Sequence, residues 1–247
     1  MKTIKDGLQM ENTEVMHSFL MIGQSNMAGR GKLDVVPFIE NKSCYMIRMG
    51  RWQQMTEPIN PDRSCYQGTF RSGISLAASF ADDLANKYGW QVGLIPCADG
   101  GTKISQWMPG EILYDHAVMM TKLAMRTSKL SGIIWHQGES DCLEESDFEA
   151  HKACFLEMAR SLRRDLGAED LPFIIGELSD QTTWGNIGTK ADYMNARYRE
   201  AAEELGNAAV VSADGLVLGK DGLHFDSPSL REFGSRYAKA YFDLIEK

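Results

Sequence analysis

The 247-residue sequence predicts an α/β fold in which helices cover both faces of a parallel sheet. Strand-like apolar runs alternate with segments of helical apolar spacing along most of the chain. The strand-like runs are continuously apolar, which is typical of parallel strands that are covered on both faces. The chain is long enough to bury an ample core, so residues 1–247 are predicted to form a single domain.

Six short apolar segments are predicted as strands, and they are residues 19–22, 44–47, 92–96, 132–135, 173–177 and 209–211. Five longer segments have helical apolar spacing, and they are residues 73–88, 116–129, 146–166, 191–205 and 229–245. The third of these helices has one predicted core face, made by Phe148, Phe155, Met158 and Leu162. The resulting strand–helix alternation predicts a doubly wound sandwich.

Residues 34–73 follow this alternation least well, because Pro37, Pro58 and Pro61 lie among scattered polar residues. The segment is predicted to be an irregular insertion between the first strand and the first long helix. Insertions of this kind often line a substrate cleft, and the alternative is a surface loop without a role.

Charge and cysteine content argue against several function classes. The formal net charge of −8 disfavours binding to nucleic acid, which requires a basic face on the protein. It also disfavours binding to an anionic membrane surface. There is no 18-residue apolar run for a transmembrane helix and no apolar stretch before residue 16 for a secretory signal. The five cysteines are odd in number and contain no CxxC pair, which is typical of free thiols. These features predict a cytoplasmic protein.

Polar, glycine-containing segments follow several of the predicted strands. Ser25 follows the first strand, residues 99–102 follow the strand that ends at residue 96, and residues 136–141 follow the strand that ends at residue 135. Asp221 and His224 lie beyond the last strand. Because ligands bind at the carboxyl ends of parallel strands, these segments are expected to converge on one site.

Ser25, His224 and Asp221 are the candidate catalytic residues. A serine hydroxyl needs a base within hydrogen-bond reach, and that base needs a third group to fix its tautomer. His224 is the candidate base, and Asp221 lies three residues earlier, where a turn brings it to the imidazole. Taken singly, the serine also suits a strand-end turn and the aspartate a helix N-cap. Their expected convergence favours acyl transfer.

Three hydrogen-bond donors are predicted to hold the oxyanion that forms during acyl transfer. The first is the backbone N–H of Ser25, at the start of a predicted helical turn. The second is the backbone N–H of Gly100, which a substrate can approach closely because no side chain is present. The third is the side-chain amide of Gln137. The structural alternatives are a tight turn at Gly100 and a satisfied buried amide at Gln137.

These segments resemble the sequence blocks of the SGNH hydrolase superfamily. The blocks are GQSNMAG at residues 23–29, GGT at residues 100–102, QGESD at residues 137–141 and DGLH at residues 221–224. More narrowly, they are similar to the branch that holds sialate O-acetylesterases and acetylxylan esterases. The resemblance spans residues 19–237, and its GQSNMAG and HQGESD motifs are specific.

The resemblance implies a three-layer α/β/α sandwich around a central parallel sheet of about five strands in flavodoxin-like order. It also implies a serine esterase, independent of metals and cofactors, that removes acetyl groups from sugar hydroxyls. By position, Ser25 is the nucleophile, Asp221 and His224 complete the triad, and Gly100 and Gln137 join Ser25 in the oxyanion hole. The wider superfamily usually has asparagine where this chain has Gln137, and the acetylesterase branch shares the glutamine.

Further residues in or near these loops are candidates for substrate binding or for supporting hydrogen bonds: Gln24, Asn26, Arg30, Tyr66, Gly101, Trp107, Glu139, Asp141 and Trp184. Glu139 and Asp141 are assigned to hydrogen bonds that order their loop. They lie only two residues apart, a poor arrangement for flanking a glycosidic bond. For the aromatic candidates, ordinary packing is the alternative.

The predicted partner is an acetylated saccharide such as an acetylated xylo-oligosaccharide. The alternatives are a sialate O-acetylesterase and a lipase or thioesterase on the same scaffold, which would need a broad apolar acyl channel. A non-catalytic carbohydrate-binding domain is disfavoured because every expected block is intact. The five histidines show no ligand spacing such as HExxH, so no metal site is predicted.

Overall fold

A computed structural model describes residues 15–61 and 71–246 and contains one seven-stranded sheet. The strands are β1 (His17–Gly23), β2 (Cys44–Arg48), β3 (Arg51–Gln54), β4 (Val92–Pro96), β5 (Lys129–His136), β6 (Phe173–Gly176) and β7 (Ala208–Val211). Their order across the sheet is β3-β2-β4-β1-β5-β6-β7. All neighbouring strands are parallel except β2 and β3, which pair antiparallel at one edge.

Five strands, β4-β1-β5-β6-β7, have the predicted flavodoxin-like order. The sheet has seven strands rather than about five because a hairpin of β2 and β3 extends it. This hairpin lies inside residues 34–73. Its first strand, β2, confirms the strand predicted at residues 44–47, whereas β3 was not predicted, so the segment is less irregular than predicted. The hairpin turn is formed by Met49 and Gly50 with φ angles of 50° and 74°, the positive-φ geometry of a two-residue hairpin loop.

The helices form a layer on each face of the sheet. They are α1 (Ser25–Ala28), α2 (Ala77–Tyr88), α3 (Ile112–Ala124), α4 (Glu145–Asp165), α5 (Ile187–Leu205) and α6 (Ser227–Ile245). Helices α2 and α6 pack on one face, while α3, α4 and α5 pack on the other. The predicted core face of α4 is confirmed, because all four of its apolar residues are buried.

Strand β1 shows why its sequence is continuously apolar. Phe19 and Met21 point into the core beneath α2 and α6, whereas Leu20 and Ile22 point into the core beneath α3 to α5. Successive side chains of a strand face opposite sides of the sheet, so a strand with two covered faces needs apolar residues at every position.

Two helix boundaries differ from the predicted ones. Helix α2 begins at residue 77 rather than 73, because Gly73 and Ile74 donate backbone hydrogen bonds to Gly29 and Gly31 instead of starting a helix. Helix α3 covers Ile112–Ala124 rather than residues 116–129, because Lys129 already belongs to β5. Both differences arise from partners that lie far away in the sequence.

Within residues 15–61 and 71–246, no helix combines the length and the apolar character that a membrane span requires. The four cysteines within these ranges, Cys44, Cys97, Cys142 and Cys154, are not in disulfides.

Candidate active site

The predicted loops converge at the carboxyl edge of the sheet. Strand β1 ends at Gly23, where an added side chain would overlap the backbone oxygen of His136 at the end of β5. The backbone N–H of Gln24 donates to that same oxygen over 2.9 Å, and the N–H of Asp99 donates to the oxygen of Gly23 over 2.9 Å. These bonds bring the loops after β1, β4 and β5 together, with Ser25 at the start of α1 between them.

Ser25, His224 and Asp221 form a continuous hydrogen-bonded chain. Nε2 of His224 lies 2.9 Å from Oγ of Ser25, and Nδ1 of His224 lies 2.8 Å from Oδ2 of Asp221. A proton on Nδ1 is held by the carboxylate, which leaves Nε2 as an acceptor for the serine hydroxyl proton. The structure therefore joins residues that are 199 positions apart in the geometry of a nucleophile, its base and an orienting carboxylate.

The turn that carries His224 is organised by Asp221. Its second oxygen, Oδ1, accepts hydrogen bonds from the backbone N–H groups of Leu223 and His224, each over 3.0 Å. Partial burial acts to raise the pKa of Asp221, but the hydrogen bonds from the backbone and ring of His224 outweigh it and hold the pKa below its usual value. The carboxyl group is thus kept ionised, which suits a partner for an imidazolium.

Two backbone N–H groups of the site have no acceptor among the described residues. Within the described ranges, the N–H groups of Ser25 and Gly100 make no hydrogen bond to backbone or side chain. An added side chain on Gly100 would overlap the guanidinium of Arg30 and come within 3.6 Å of Cβ of Ser25. The glycine therefore lets the loop after β4 approach Ser25 closely. Its role as an oxyanion donor stays a prediction.

The predicted role of Gln137 as a side-chain oxyanion donor is not supported by its contacts. Its amide nitrogen donates to the backbone oxygen of Thr102 over 2.9 Å, to a carboxylate oxygen of Asp141 and, over 3.2 Å, to the side chain of Gln24. Its amide oxygen faces Nε2 of His151 at 3.2 Å. The side chain is fully buried and its hydrogens are engaged, so it braces the loops instead.

Asp141 is a buried carboxyl that joins two of the loops. It accepts from the backbone N–H of Ile104 over 3.0 Å as well as from the Gln137 amide. Burial raises the pKa of Asp141 to about 7, although both hydrogen bonds favour the ionised form. The expected loop-ordering role of Asp141 thus agrees with its hydrogen bonds.

Glu139 and Asn26 form a second buried pair beside Ser25. Nδ2 of Asn26 donates to Oε1 of Glu139 over 2.7 Å, and Nε2 of His136 lies 3.2 Å from the same oxygen. Burial acts to raise the pKa of Glu139, but His136 and Asn26 outweigh it and hold the pKa below its ordinary value. The hydrogen bonds of Glu139 thus go to Asn26 and His136 and not to Ser25, His224 or Asp221.

The aromatic candidates have different placements. Trp107 is buried, donates from Nε1 to Oγ1 of Thr102 over 3.0 Å and packs edge-on against Trp135, so it belongs to the core. Trp184 is 57% exposed. Tyr66 lies outside the described residues. Gly101 is exposed in a turn with a φ of 74°, and an added Cβ would meet no other atom within 4 Å.

A cleft of about 530 Å³ includes His224 and Asp221 in its lining. Its lining carries three cationic side chains, those of Arg30, Lys32 and Lys220, and two carboxylates, those of Asp221 and Asp226. The two lysines were missed by the sequence analysis, because an isolated lysine carries no motif and a strand–helix pattern does not show which loops share a cleft.

Within residues 15–61 and 71–246, the His, Cys, Asp and Glu side chains form no group of three or more that could hold a metal ion.

The sheet order and the placement of the loops define an SGNH-type hydrolase fold. The chain is similar in fold to XAC1771, a carbohydrate acetylesterase from Xanthomonas citri, with a TM-score of 0.61 and 16% identity over 92% of this chain and 56% of that chain. It is likewise similar to Est24, a carbohydrate acetylesterase from Sinorhizobium meliloti, with a TM-score of 0.54 and 14% identity over 90% of this chain and 97% of that one. At these identities the similarity establishes the fold.

The family is established by sequence. The family model of carbohydrate esterases described as sialic acid-specific acetylesterases matches residues 15–243, and the chain belongs to this family. It is 29% identical over 242 residues to At4g34215, a probable carbohydrate esterase of Arabidopsis thaliana, covering 90% of this chain and 89% of that protein. The X-ray structure of that plant protein matches with a TM-score of 0.79 over 92% of this chain and 98% of its own. The chain is thus a carboxylic ester hydrolase.

Proposed function

We propose that this protein is a serine esterase that removes O-acetyl groups from sugars through an acetyl-Ser25 intermediate. The observation that supports this most directly is the contact of Nε2 of His224 with Oγ of Ser25 at 2.9 Å, with Asp221 at 2.8 Å from the other ring nitrogen. The family assignment supports an acetylated carbohydrate as the substrate class.

In the proposed first step, Oγ of Ser25 attacks the acetyl carbonyl carbon while Nε2 of His224 takes the hydroxyl proton. The carbonyl electron pair moves onto oxygen, where the backbone N–H groups of Ser25 and Gly100 stabilise the charge. Collapse of this intermediate breaks the carbon–oxygen bond to the sugar. The sugar oxygen leaves with the proton from His224, and the acetyl group stays on Ser25.

In the proposed second step, water takes the place of the sugar. His224 accepts a proton from water as its oxygen bonds to the acetyl carbon, and the same two N–H groups hold the oxyanion. Collapse then returns the proton to Oγ of Ser25 and releases acetic acid. Asp221 stays ionised throughout and stabilises the imidazolium in both steps.

A sialate O-acetylesterase is the second candidate function. Three cationic side chains, those of Arg30, Lys32 and Lys220, line the cleft beside His224, although the chain as a whole carries a net charge of −8. The two carboxylates in the same lining already have partners, because Asp221 holds His224 and Asp226 accepts from the backbone N–H of Ser229 at the start of α6. Cationic groups in a cleft favour a substrate with a carboxylate, such as an acetylated sialic acid, over a neutral xylo-oligosaccharide.

Acetate release tests the proposal directly. Wild type and Ser25→Ala are assayed on acetylated xylo-oligosaccharides and on O-acetyl sialic acid, with p-nitrophenyl acetate and octanoate alongside. Ser235→Ala, the same substitution on α6, is the matched control and should keep full activity. Thermal unfolding verifies that both variants are folded.

We expect Ser25-dependent acetate release with little cleavage of the octanoate ester. The sugar that is cleaved with the higher kcat/KM decides between the two candidate substrates. Full activity in Ser25→Ala would refute the serine mechanism. Efficient octanoate cleavage without acetate release from either sugar would favour a lipase or thioesterase.

A further inference from the structure

The side chain of Asn26 connects the nucleophile to the loop of the base. Asn26 follows Ser25 directly and is 1% exposed. Its Nδ2 donates to the backbone oxygen of Leu223 over 3.4 Å, and its Oδ1 accepts from the backbone N–H of Phe225 over 3.1 Å. These two residues flank His224, so one side chain holds the backbone on both sides of the base.

The orientation of this amide is determined by its three partners. The N–H of Phe225 requires an acceptor, so Oδ1 must face it. The Nδ2 group then faces two acceptors, the oxygen of Leu223 and Oε1 of Glu139, which lies 2.7 Å away. A flipped Asn26 amide would place oxygen against the carboxylate and N–H against N–H. Glu139 therefore selects the orientation in which Asn26 holds the loop.

Glu139 is suited to this role by its burial. It is 3% exposed, and Oε2 has no hydrogen-bond partner within the described residues. A buried carboxylate with one unpartnered oxygen is costly to maintain, and its other oxygen depends on the donors from Asn26 and His136. The contact of Asn26 with Glu139 is thus a charge-assisted hydrogen bond between two buried polar groups that would be costly to leave without a partner.

We propose that Asn26 is a positioning residue that sets the distance from Oγ of Ser25 to Nε2 of His224, and that Glu139 fixes the orientation of Asn26. This inference rests on the proposed serine mechanism. Asn26 acts through the backbone on either side of the base and does not touch the substrate. A shift of about 1 Å at a catalytic group can cost on the order of 10²-fold in rate.

The main test is Asn26→Asp, which keeps the size of the side chain but turns its donor into an acceptor facing Glu139. Kinetics use p-nitrophenyl acetate, with the folded active fraction counted by phosphonate labelling of Ser25. We expect kcat per labelled site to fall about 10²-fold, with KM changed less than threefold, because the geometry of the reacting groups is lost. Adding Glu139→Gln supplies an amide donor to the new carboxylate. We expect kcat per labelled site of this double variant to be at least tenfold higher than that of Asn26→Asp alone.

Asn195→Asp is the matched control. Asn195 is also a buried asparagine that holds a loop by backbone bonds, accepting from Leu178 over 2.8 Å and donating to it over 3.0 Å. It should lose stability while kcat per labelled site stays at the wild-type value. If Asn26→Asp is too unstable to purify, Asn26→Ala removes the same bonds without adding a charge and should show the same loss of kcat.

The outcomes separate the positioning role from the proposed function. A kcat per labelled site within threefold of wild type in Asn26→Asp or Asn26→Ala would overturn the positioning role. So would a double variant with Glu139→Gln that is no more active than Asn26→Asp alone. If wild-type hydrolysis does not depend on Ser25, the proposed function fails first, and the Ser25→Ala assay identifies that case.

Discussion

Asp221→Asn tests the proposed role of Asp221 in orienting His224, because Asp221 uses both of its carboxylate oxygens. Oδ1 accepts two backbone N–H groups at 3.0 Å each, and Oδ2 accepts Nδ1 of His224 at 2.8 Å. Asparagine has a single side-chain oxygen, so it can serve the turn or the imidazole but not both.

The favoured orientation of the introduced amide is the one that disables His224. With the amide oxygen toward the turn, the amide N–H faces Nδ1, and the ring proton moves to Nε2, which then cannot accept the proton of Ser25. The productive orientation gives up two backbone hydrogen bonds, at about 1 kcal/mol each. A penalty of about 2 kcal/mol corresponds to roughly a 30-fold loss of productive enzyme. Loss of the carboxylate charge adds to this, so kcat/KM should fall by at least about 10²-fold.

The assay is steady-state hydrolysis of p-nitrophenyl acetate, with thermal unfolding of the same preparations. Asp243→Asn is the matched control, because Asp243 is an ion-paired side chain with 59% exposure, close to the 55% of Asp221. It should keep wild-type kcat/KM. Both variants should lie within about 3 °C of the wild-type Tm, since the turn around residue 221 keeps its hydrogen bonds. A kcat/KM for Asp221→Asn within fivefold of wild type would refute this reasoning.

Three further predictions concern stability. Asp141 has a pKa of about 7 when folded, against about 3.9 when unfolded, so the folded state binds more protons between these values and stability falls as pH rises through that window. The free energy of unfolding, measured with urea, should fall by roughly 1.4 kcal/mol per pH unit in wild type, and Asp141→Asn should abolish this fall. Parallel plots of this free energy against pH for the two proteins would contradict the prediction. In Gly234→Ala the added methyl group would overlap the backbone oxygen of Leu76, where α6 packs against α2. The free energy of unfolding in urea should fall by about 1–3 kcal/mol. An unchanged midpoint would show that the two helices separate easily. Arg163→Ala would leave four backbone oxygens without their guanidinium donor. The free energy of unfolding should fall by about 2–4 kcal/mol, with kcat unchanged. A variant as stable as wild type would show that water replaces the guanidinium.

Much of the fold could be predicted from the sequence, because each covered strand needs apolar residues on both faces. This requirement made β1, β4, β5, β6 and β7 visible as continuous apolar runs. Strand β3, with the sequence RWQQ, was not predicted, since an edge strand is partly exposed and its composition is mostly polar. The boundaries of α2 and α3 were shifted for a similar reason, because they depend on partners distant in sequence.

Within the site, the proximity of Ser25 and His224 was predictable from the chain order, since both follow strands of one parallel sheet. The position of Trp107 in the core was not predictable from the sequence. Its apolar ring suits either a sugar platform or a core, and only its packing against Trp135 and its bond to Thr102 assign it to the core.

The sequence by itself determined the alternation of strands and helices, the sheet edge at which the loops meet, and the residue types that acyl transfer requires. It did so because apolar periodicity and strand direction are local properties of the chain. Only the tertiary structure decided that the amide of Gln137 braces the loops and that Asn26 spans both sides of His224. Those roles depend on which hydrogen-bond partners arrive from up to 199 positions away, and a polar side chain does not encode its partner locally.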